Sequence, residues 1–105
     1  MSEMWNRVPW MKPVDTAILN LLSPPKPLEL TPSNIAINID YDSGYVAKRC
    51  KDLEARGLLK SADRDGYPAY SVTSLGEDLS DRNMSAREIL HRTALPSDYE
   101  IDDED

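Results

Sequence analysis

Five residues near the middle of the chain carry side chains suited to binding chemistry, and helical spacing would place them on or beside one face. They are small, polar or basic: Ser43, Gly44, Tyr45, Lys48 and Lys51. At about 100° per residue, Val46, Cys50 and Leu53 form an apolar stripe from which both lysines point away. An outward lysine can donate hydrogen bonds to a phosphate or to the guanine edge of a base pair. An ordinary solvated helix face would look the same, so the neighbouring elements must decide.

Two short helices joined by a polar corner are predicted around this face. The first helix has Thr31 as its capping residue and Pro32 at its first position. Its apolar residues face inward, which leaves Ser33 and Asn34 outside. The second helix is predicted over residues 43–56 and carries the face described above.

A β-hairpin is predicted to follow the second helix. Two strand-like runs, at residues 58–62 and 69–73, lie on either side of Arg64 and the turn signal Asp65-Gly66. Helix, turn, helix and hairpin together predict a mainly helical fold with a small β-hairpin, the winged helix-turn-helix. The hairpin, at about residues 58–73, would be the wing. This arrangement is mostly used to place one helix in the major groove of DNA.

The sequence thus favours a sequence-specific DNA-binding regulator that acts by blocking promoter access, with double-stranded DNA as its partner. The candidate DNA-binding residues are Ser33, Asn34, Ser43, Gly44, Tyr45, Lys48, Arg49, Lys51 and Arg64. Arg49 is ambiguous because it borders the apolar stripe and could pair with Asp52 or Asp40 instead. Arg64 is a candidate because the tip of a wing faces solvent and can reach a phosphate or a minor groove.

The net charge of −7 argues against DNA binding only until its distribution is considered. Residues 97–105 hold six carboxylates and no basic residue, whereas residues 43–67 hold six basic and four acidic side chains. An acidic, Asp-rich chain is also typical of a protein in molar salt, where the Debye length is about 3 Å. Phosphate attraction weakens under the same conditions. Such a protein would rely more on base contacts and shape.

Catalysis is not expected. No phosphate loop, nucleophile motif or paired-carboxylate spacing occurs, and with His91 as the only histidine no metal or cofactor is expected. The single cysteine, Cys50, is predicted to be a buried structural thiol. No apolar run approaches the roughly 20 residues that span a bilayer, so we expect a cytoplasmic protein with no membrane partner.

Four segments are predicted: an apolar arm at residues 1–10, the winged-helix domain at 11–82, a short helix at 83–93 and a disordered acidic tail at 94–105. Another helix, which precedes the two helices of the helix-turn-helix, should begin at Pro13. The two end segments carry large apolar side chains that would suit a homodimer contact: Trp5, Trp10, Ile89 and Leu90. They could instead fold back on their own domain.

A second class of function stays open from the residues alone. The winged helix could serve as a protein-interaction module without a DNA-binding role, with Tyr45 and the N-terminal tryptophans as its docking face. The negative net charge and the apolar N-terminus favour this alternative.

Residues 10–80 resemble haloarchaeal winged-helix proteins related to the phage phi-H repressor. The resemblance lies in WMKPVD at residues 10–15, TPSNIA at 31–36, YVAKRC at 45–50, GLL at 57–59 and YSVT at 70–73. It implies a homodimeric transcriptional regulator from a salt-loving archaeon, with Ser43, Tyr45, Lys48 and Arg49 near the DNA. The proline-rich linker at 24–27, the longer wing and the acidic extension depart from the family pattern.

Overall fold

The computed structural model describes residues 10–23, 28–80 and 86–93. Most of the predicted apolar arm, the proline-rich linker at 24–27 and the acidic tail lie outside the described residues. Among the described helices, none has the length and apolar character needed to cross a bilayer.

The described residues form five helices and one two-stranded antiparallel sheet. In chain order the elements are α1 Pro13–Leu22, α2 Pro32–Ile39, α3 Ser43–Ala55, β1 Leu59–Arg64, β2 Tyr67–Val72, α4 Ser74–Ser80 and α5 Ala86–Arg92. Helix, turn, helix and hairpin occur in the predicted order. The predicted winged helix-turn-helix is therefore confirmed.

Local capping interactions fix where α2 and α3 begin. The Thr31 hydroxyl accepts the backbone N–H of Asn34 at 3.4 Å, and the Asp42 carboxylate accepts that of Tyr45 at 3.0 Å. Between the two helices, Asp40 has a left-handed backbone with φ of 62° and donates its N–H to the carbonyl of Ala36 at 2.8 Å. This single residue turns the chain from α2 into α3.

One apolar core joins all the elements. Its fully buried members come from all five helices, from β1 and from the residue before β1: Val14, Ile18, Leu19, Leu22, Ile35, Val46, Cys50, Leu53, Leu58, Leu59, Leu79 and Ile89. The exposed face of α3 lies opposite this core. The inner face of α3 therefore packs on the core, and its outer face is exposed to solvent.

The hairpin strands are longer than predicted because the turn between them is short. Cα partners run from Leu59 with Val72 to Arg64 with Tyr67, so the turn consists of Asp65 and Gly66 alone. Both turn residues have positive φ, 56° and 87°, as a tight hairpin with the sheet's right-handed twist requires. The expectation of strands ending at residue 62 and resuming at 69 is wrong.

An isolated β-bridge outside the two-stranded sheet was not predicted. Leu30 pairs with Tyr70 through two backbone hydrogen bonds, of 3.0 and 2.8 Å. Because Leu30 precedes the cap of α2 by one residue, this bridge places the N-terminus of α2 beside β2. The hairpin and the helix-turn-helix unit are thereby fixed relative to one another.

The outermost described residues at either end, Trp10 and Thr93, pack on the domain. Ile89 and Thr93 are fully buried, and the indole N–H of Trp10 donates to the Thr93 hydroxyl at 3.1 Å. The expectation that Ile89 contributes to a homodimer contact is therefore wrong, since its side chain is already covered. Leu90 remains partly exposed.

Candidate nucleic-acid interface

The outer face of α3 is exposed at the positions that helical spacing predicted. Ser43, Gly44, Lys48 and Lys51 are all solvent-exposed, and Tyr45 is half-buried. The apolar stripe on the other side of the helix has no exposed surface. Cys50 is a free, fully buried cysteine, which confirms the predicted buried thiol. Burial raises the pKa of this thiol to about 12, with the Asp15 and Glu54 carboxylates adding to the shift.

A groove of about 550 Å³ runs between α3, the start of α2 and the start of β2. Eight residues line it: Thr31, Pro32, Ser33, Ser43, Gly44, Ala47, Tyr67 and Pro68. It brings Ser33 of α2 next to the beginning of α3, as expected for two parts of one interface. Asn34 is exposed but does not line the groove.

Tyr67 and Pro68 were missed by the sequence-based prediction. With only two residues in the hairpin turn, Tyr67 is the first residue of β2 and stands opposite Arg64. The signal was present in Asp65-Gly66, since a two-residue turn would have put Tyr67 at the tip of the wing.

Arg49 does not belong to the exposed face. It is 3% exposed, and its guanidinium binds both carboxylate oxygens of Asp15, at 2.9 and 2.8 Å. It also donates to Asp52 at 3.2 Å. The expectation that Arg49 contacts DNA is wrong, because its guanidinium is buried and forms ion pairs with the carboxylates of Asp15 and Asp52. The structure instead supports the pairing with Asp52 that the sequence left open, and adds Asp15.

Asp15 is the most buried carboxylate of this ion-pair group. Burial raises its pKa, while the Arg49 guanidinium and the backbone N–H of Lys12 act in the opposite direction. A buried charge of this kind is tolerated only when it is paired and hydrogen-bonded. Arg49 and Asp15 are therefore partners that depend on one another.

Arg56 extends the same group to Trp10 and Thr93. It binds Asp52 at 3.1 Å, lies 4.4 Å from the ring centroid of Trp10 and donates to the carbonyl of Thr93 at 3.0 Å. We call Trp10, Asp15, Arg49, Asp52 and Arg56 the anchor cluster. It ties the inner side of α3 to α1 and to both ends of the described chain.

Arg64 is exposed but not unpaired. Its side chain is 60% exposed, and it forms two hydrogen bonds with the Glu29 carboxylate, at 3.1 and 3.0 Å. Exposed ion pairs of this kind are weak, typically below about 1 kcal/mol. The pair can therefore open if a phosphate replaces Glu29.

The basic side chains of residues 43–67 thus divide into two groups. Arg49, Arg56 and Arg64 have carboxylate partners within the protein. In the part of the chain that the structure describes, Lys48, Lys51 and Lys60 are exposed and form no ion pair. Two of these three lysines lie on the outer face of α3.

A wing beside a helix whose outer face is exposed and basic defines a winged helix-turn-helix protein of the DNA-binding class. The model of a family described as winged helix-turn-helix phage repressor matches residues 4–92, and the chain belongs to this family. DNA binding and repression are the functions to which fold and family assign it.

Two known proteins illustrate the relationship. The repressor protein of Halobacterium phage phiH is 49% identical over 74 residues, which cover 70% of this chain and 83% of that protein. The YusO protein from Bacillus subtilis has a similar structure, with a TM-score of 0.59 and 21% sequence identity. That similarity covers 87% of this chain and 62% of the YusO chain, and it shows the fold alone. The predicted relation to the phi-H repressor is confirmed.

Proposed function

We propose that this repressor reads its operator with the outer face of α3 in the major groove and represses by blocking promoter access. The observation that carries the proposal is the pair of exposed lysines, Lys48 and Lys51, on a helix that the core and the anchor cluster hold in place. Lysine at such positions donates to guanine acceptors or to phosphates. The protein would act in the cytoplasm, where the operator lies.

The other candidate residues would position the protein on the duplex. Ser33 and Asn34 lie in the first turn of α2, and Ser43 lies in the first turn of α3. Hydroxyl and amide groups at helix N-termini are common donors to the DNA backbone. They would set the depth of α3 in the groove but carry little sequence information themselves.

We further propose that the repressor works as a homodimer. One short helix reads few base pairs, whereas two-fold repressors place paired helices about 34 Å apart, one turn of DNA. The domain measures 38 Å by 34 Å in its two longer dimensions. These dimensions are of the same order as the spacing of successive major grooves.

The protein-interaction module has less support. It depended on exposed N-terminal tryptophans, but Trp10 lies under Arg56 and is hydrogen-bonded to Thr93. Family membership also favours the repressor. The alternative predicts that DNA selection enriches nothing.

Selection from fragmented genomic DNA in molar KCl, followed by binding titrations on the enriched sequence, tests the proposal. We expect a palindromic motif, about tenfold weaker binding for Lys48→Ala and loss of binding for Lys48→Glu. Lys60→Glu is the matched control, since it makes the same charge change at an exposed strand position outside the groove. If Lys48→Glu bound as tightly as Lys60→Glu, α3 would not be the reading helix.

A further inference from the structure

We propose that the groove between α3 and the hairpin holds one strand of the operator through uncharged contacts, with Tyr67 as the principal contact. The inference rests on the proposed function, since it requires α3 to lie in the major groove. It adds a second contact region with a different chemistry. Neither Tyr67 nor the groove was among the features that the sequence indicated.

Continuity with the α3 face identifies the occupant. Ser43, Gly44 and Ala47 form one wall of the groove and belong to the helix that carries Lys48 and Lys51. The Leu30–Tyr70 bridge holds the opposite wall, at the start of β2, beside α2. A duplex that received α3 in its major groove would bring a sugar–phosphate strand against this continuous surface.

The lining of the groove suits that strand. None of its eight residues is charged, and four carry hydroxyl groups: Thr31, Ser33, Ser43 and Tyr67. Hydroxyl side chains donate hydrogen bonds to phosphate oxygens, and contacts of this type position a protein on a duplex. Gly44 adds no side chain, so the strand can come close to the helix backbone.

Tyr67 stands out within this lining. It is 66% exposed, and it is an aromatic residue at the tip of a polar hairpin. Its ring offers apolar area to a sugar, and its hydroxyl can donate to a phosphate. It is paired across the hairpin with Arg64, whose charge is shared with Glu29.

The charge pattern explains why uncharged contacts would be used here. Two of the three arginines near α3 are held inside the protein, and the third is paired at the surface. Each lysine–phosphate contact loses affinity as salt rises, because it depends on counterion release. A hydroxyl–phosphate contact releases no counterion. The groove would therefore keep its contribution to operator affinity at high salt concentration, where the attraction between lysine and phosphate is weakest.

The test compares Tyr67→Phe and Tyr67→Ala with the wild type on the selected operator, by fluorescence anisotropy across a KCl series. Removing the hydroxyl should weaken binding about two- to tenfold, and removing the ring about tenfold or more. In both variants the slope of log Kd against log [KCl] should stay unchanged. Lys48→Ala should reduce that slope by about 0.9 for each phosphate that Lys48 neutralises in the wild type.

Ser61→Ala is the control, because it removes an exposed hydroxyl from the other strand of the hairpin, at a position outside the groove. Its operator affinity should equal that of the wild type. Hydroxyl-radical footprinting should show that Tyr67→Ala loses protection of one strand beside the α3 site only. Thermal unfolding should be the same for Tyr67→Phe and the wild type, since the position is exposed.

The outcomes separate the two proposals. If the wild type binds the operator and both Tyr67 variants match it in affinity and footprint, the groove assignment is wrong while the repressor proposal stands. A changed slope of log Kd against log [KCl] for Tyr67→Phe would also overturn the groove assignment, since the Tyr67 contact would then be coupled to a charge. If the wild type enriches no DNA, the proposed function itself fails.

Discussion

Lys48 and Arg49 are consecutive residues with opposite environments. The lysine is exposed on the outer face of α3, whereas the arginine is buried between two carboxylates. Helical rotation of about 100° per residue is enough to move a side chain from solvent into the core boundary. Charge alone therefore does not identify a DNA contact, and the direction of each side chain decides its role.

Arg49→Ala should lower the free energy of unfolding by about 3–5 kcal/mol, because it leaves Asp15 buried without its partner. Arg49→Lys should lose less, since it keeps the charge but not the two-point contact. Urea unfolding followed by circular dichroism measures both. Lys48→Ala is the control and should stay within about 0.5 kcal/mol of the wild type. An Arg49→Ala protein as stable as this control would show that the ion pair contributes nothing.

At the scale of the elements, the sequence predicted what local interactions determine. Thr31 and Asp42 cap helices through bonds to residues three positions later, and such signals can be read from a short window. The bounds of β1 and β2 were wrong because Asp65-Gly66 was placed within a longer loop, although Asp-Gly favours a two-residue turn with positive φ at both positions. Tyr67 was missed as a wing-tip residue for the same reason.

Long-range contacts could not be predicted in this way. Arg49 binds Asp15 across 34 positions, and Trp10 binds Thr93 across 83. Each of these residues has several chemically reasonable partners in the sequence, and only packing selects one. The Arg49 error followed directly, because its position at the edge of the stripe was compatible with both roles.

Gly76 in α4 makes a prediction about how the wing joins the rest of the fold. Alanine in place of a helical glycine usually stabilises by about 1 kcal/mol. Here a Cβ would meet the backbone carbonyl of Leu58, and Val72 Cγ2 at 2.5 Å. We therefore expect Gly76→Ala to destabilise the protein by about 1–3 kcal/mol in thermal or urea unfolding.

Gly44→Ala is the matched helical control, since the nearest atom to its new Cβ is a side-chain oxygen of Asp42 at 3.1 Å. A side chain can shift where a backbone carbonyl cannot. The control should change stability by less than about 1 kcal/mol. Equal stability of the two alanine variants would show that α4 can move away from the hairpin at little cost.

For the whole molecule, the assembly state is the property with most effect on function. Two residues of α5 were proposed for the dimer contact. Ile89 is buried, and Leu90 is partly exposed. Thr93, directly after this helix, bonds to Trp10 and Arg56 of the anchor cluster on the inner side of α3, so a dimer built on α5 would leave the outer faces of both α3 helices accessible.

Light scattering of the full chain in about 2 M KCl should give twice the 11.8 kDa mass of one chain. Leu90→Glu should give the mass of a monomer, because a charge would have to be buried in the contact. Leu28→Glu is the control, since Leu28 is similarly exposed and belongs to the segment before α2, not to α5. A monomeric wild type would refute the homodimer, and a dimeric Leu90→Glu would move the contact away from α5.

The interleaving of inner and outer residues along α3 also bears on how the protein can evolve. Val46, Arg49, Cys50 and Leu53 secure the fold, and the exposed positions between them contribute little to it. Substitutions at exposed positions usually change stability by about 0.5 kcal/mol or less. If α3 reads the operator as proposed, single mutations at these exposed positions would change recognition at little cost in stability. Selection on recognition can proceed without opposing selection on stability.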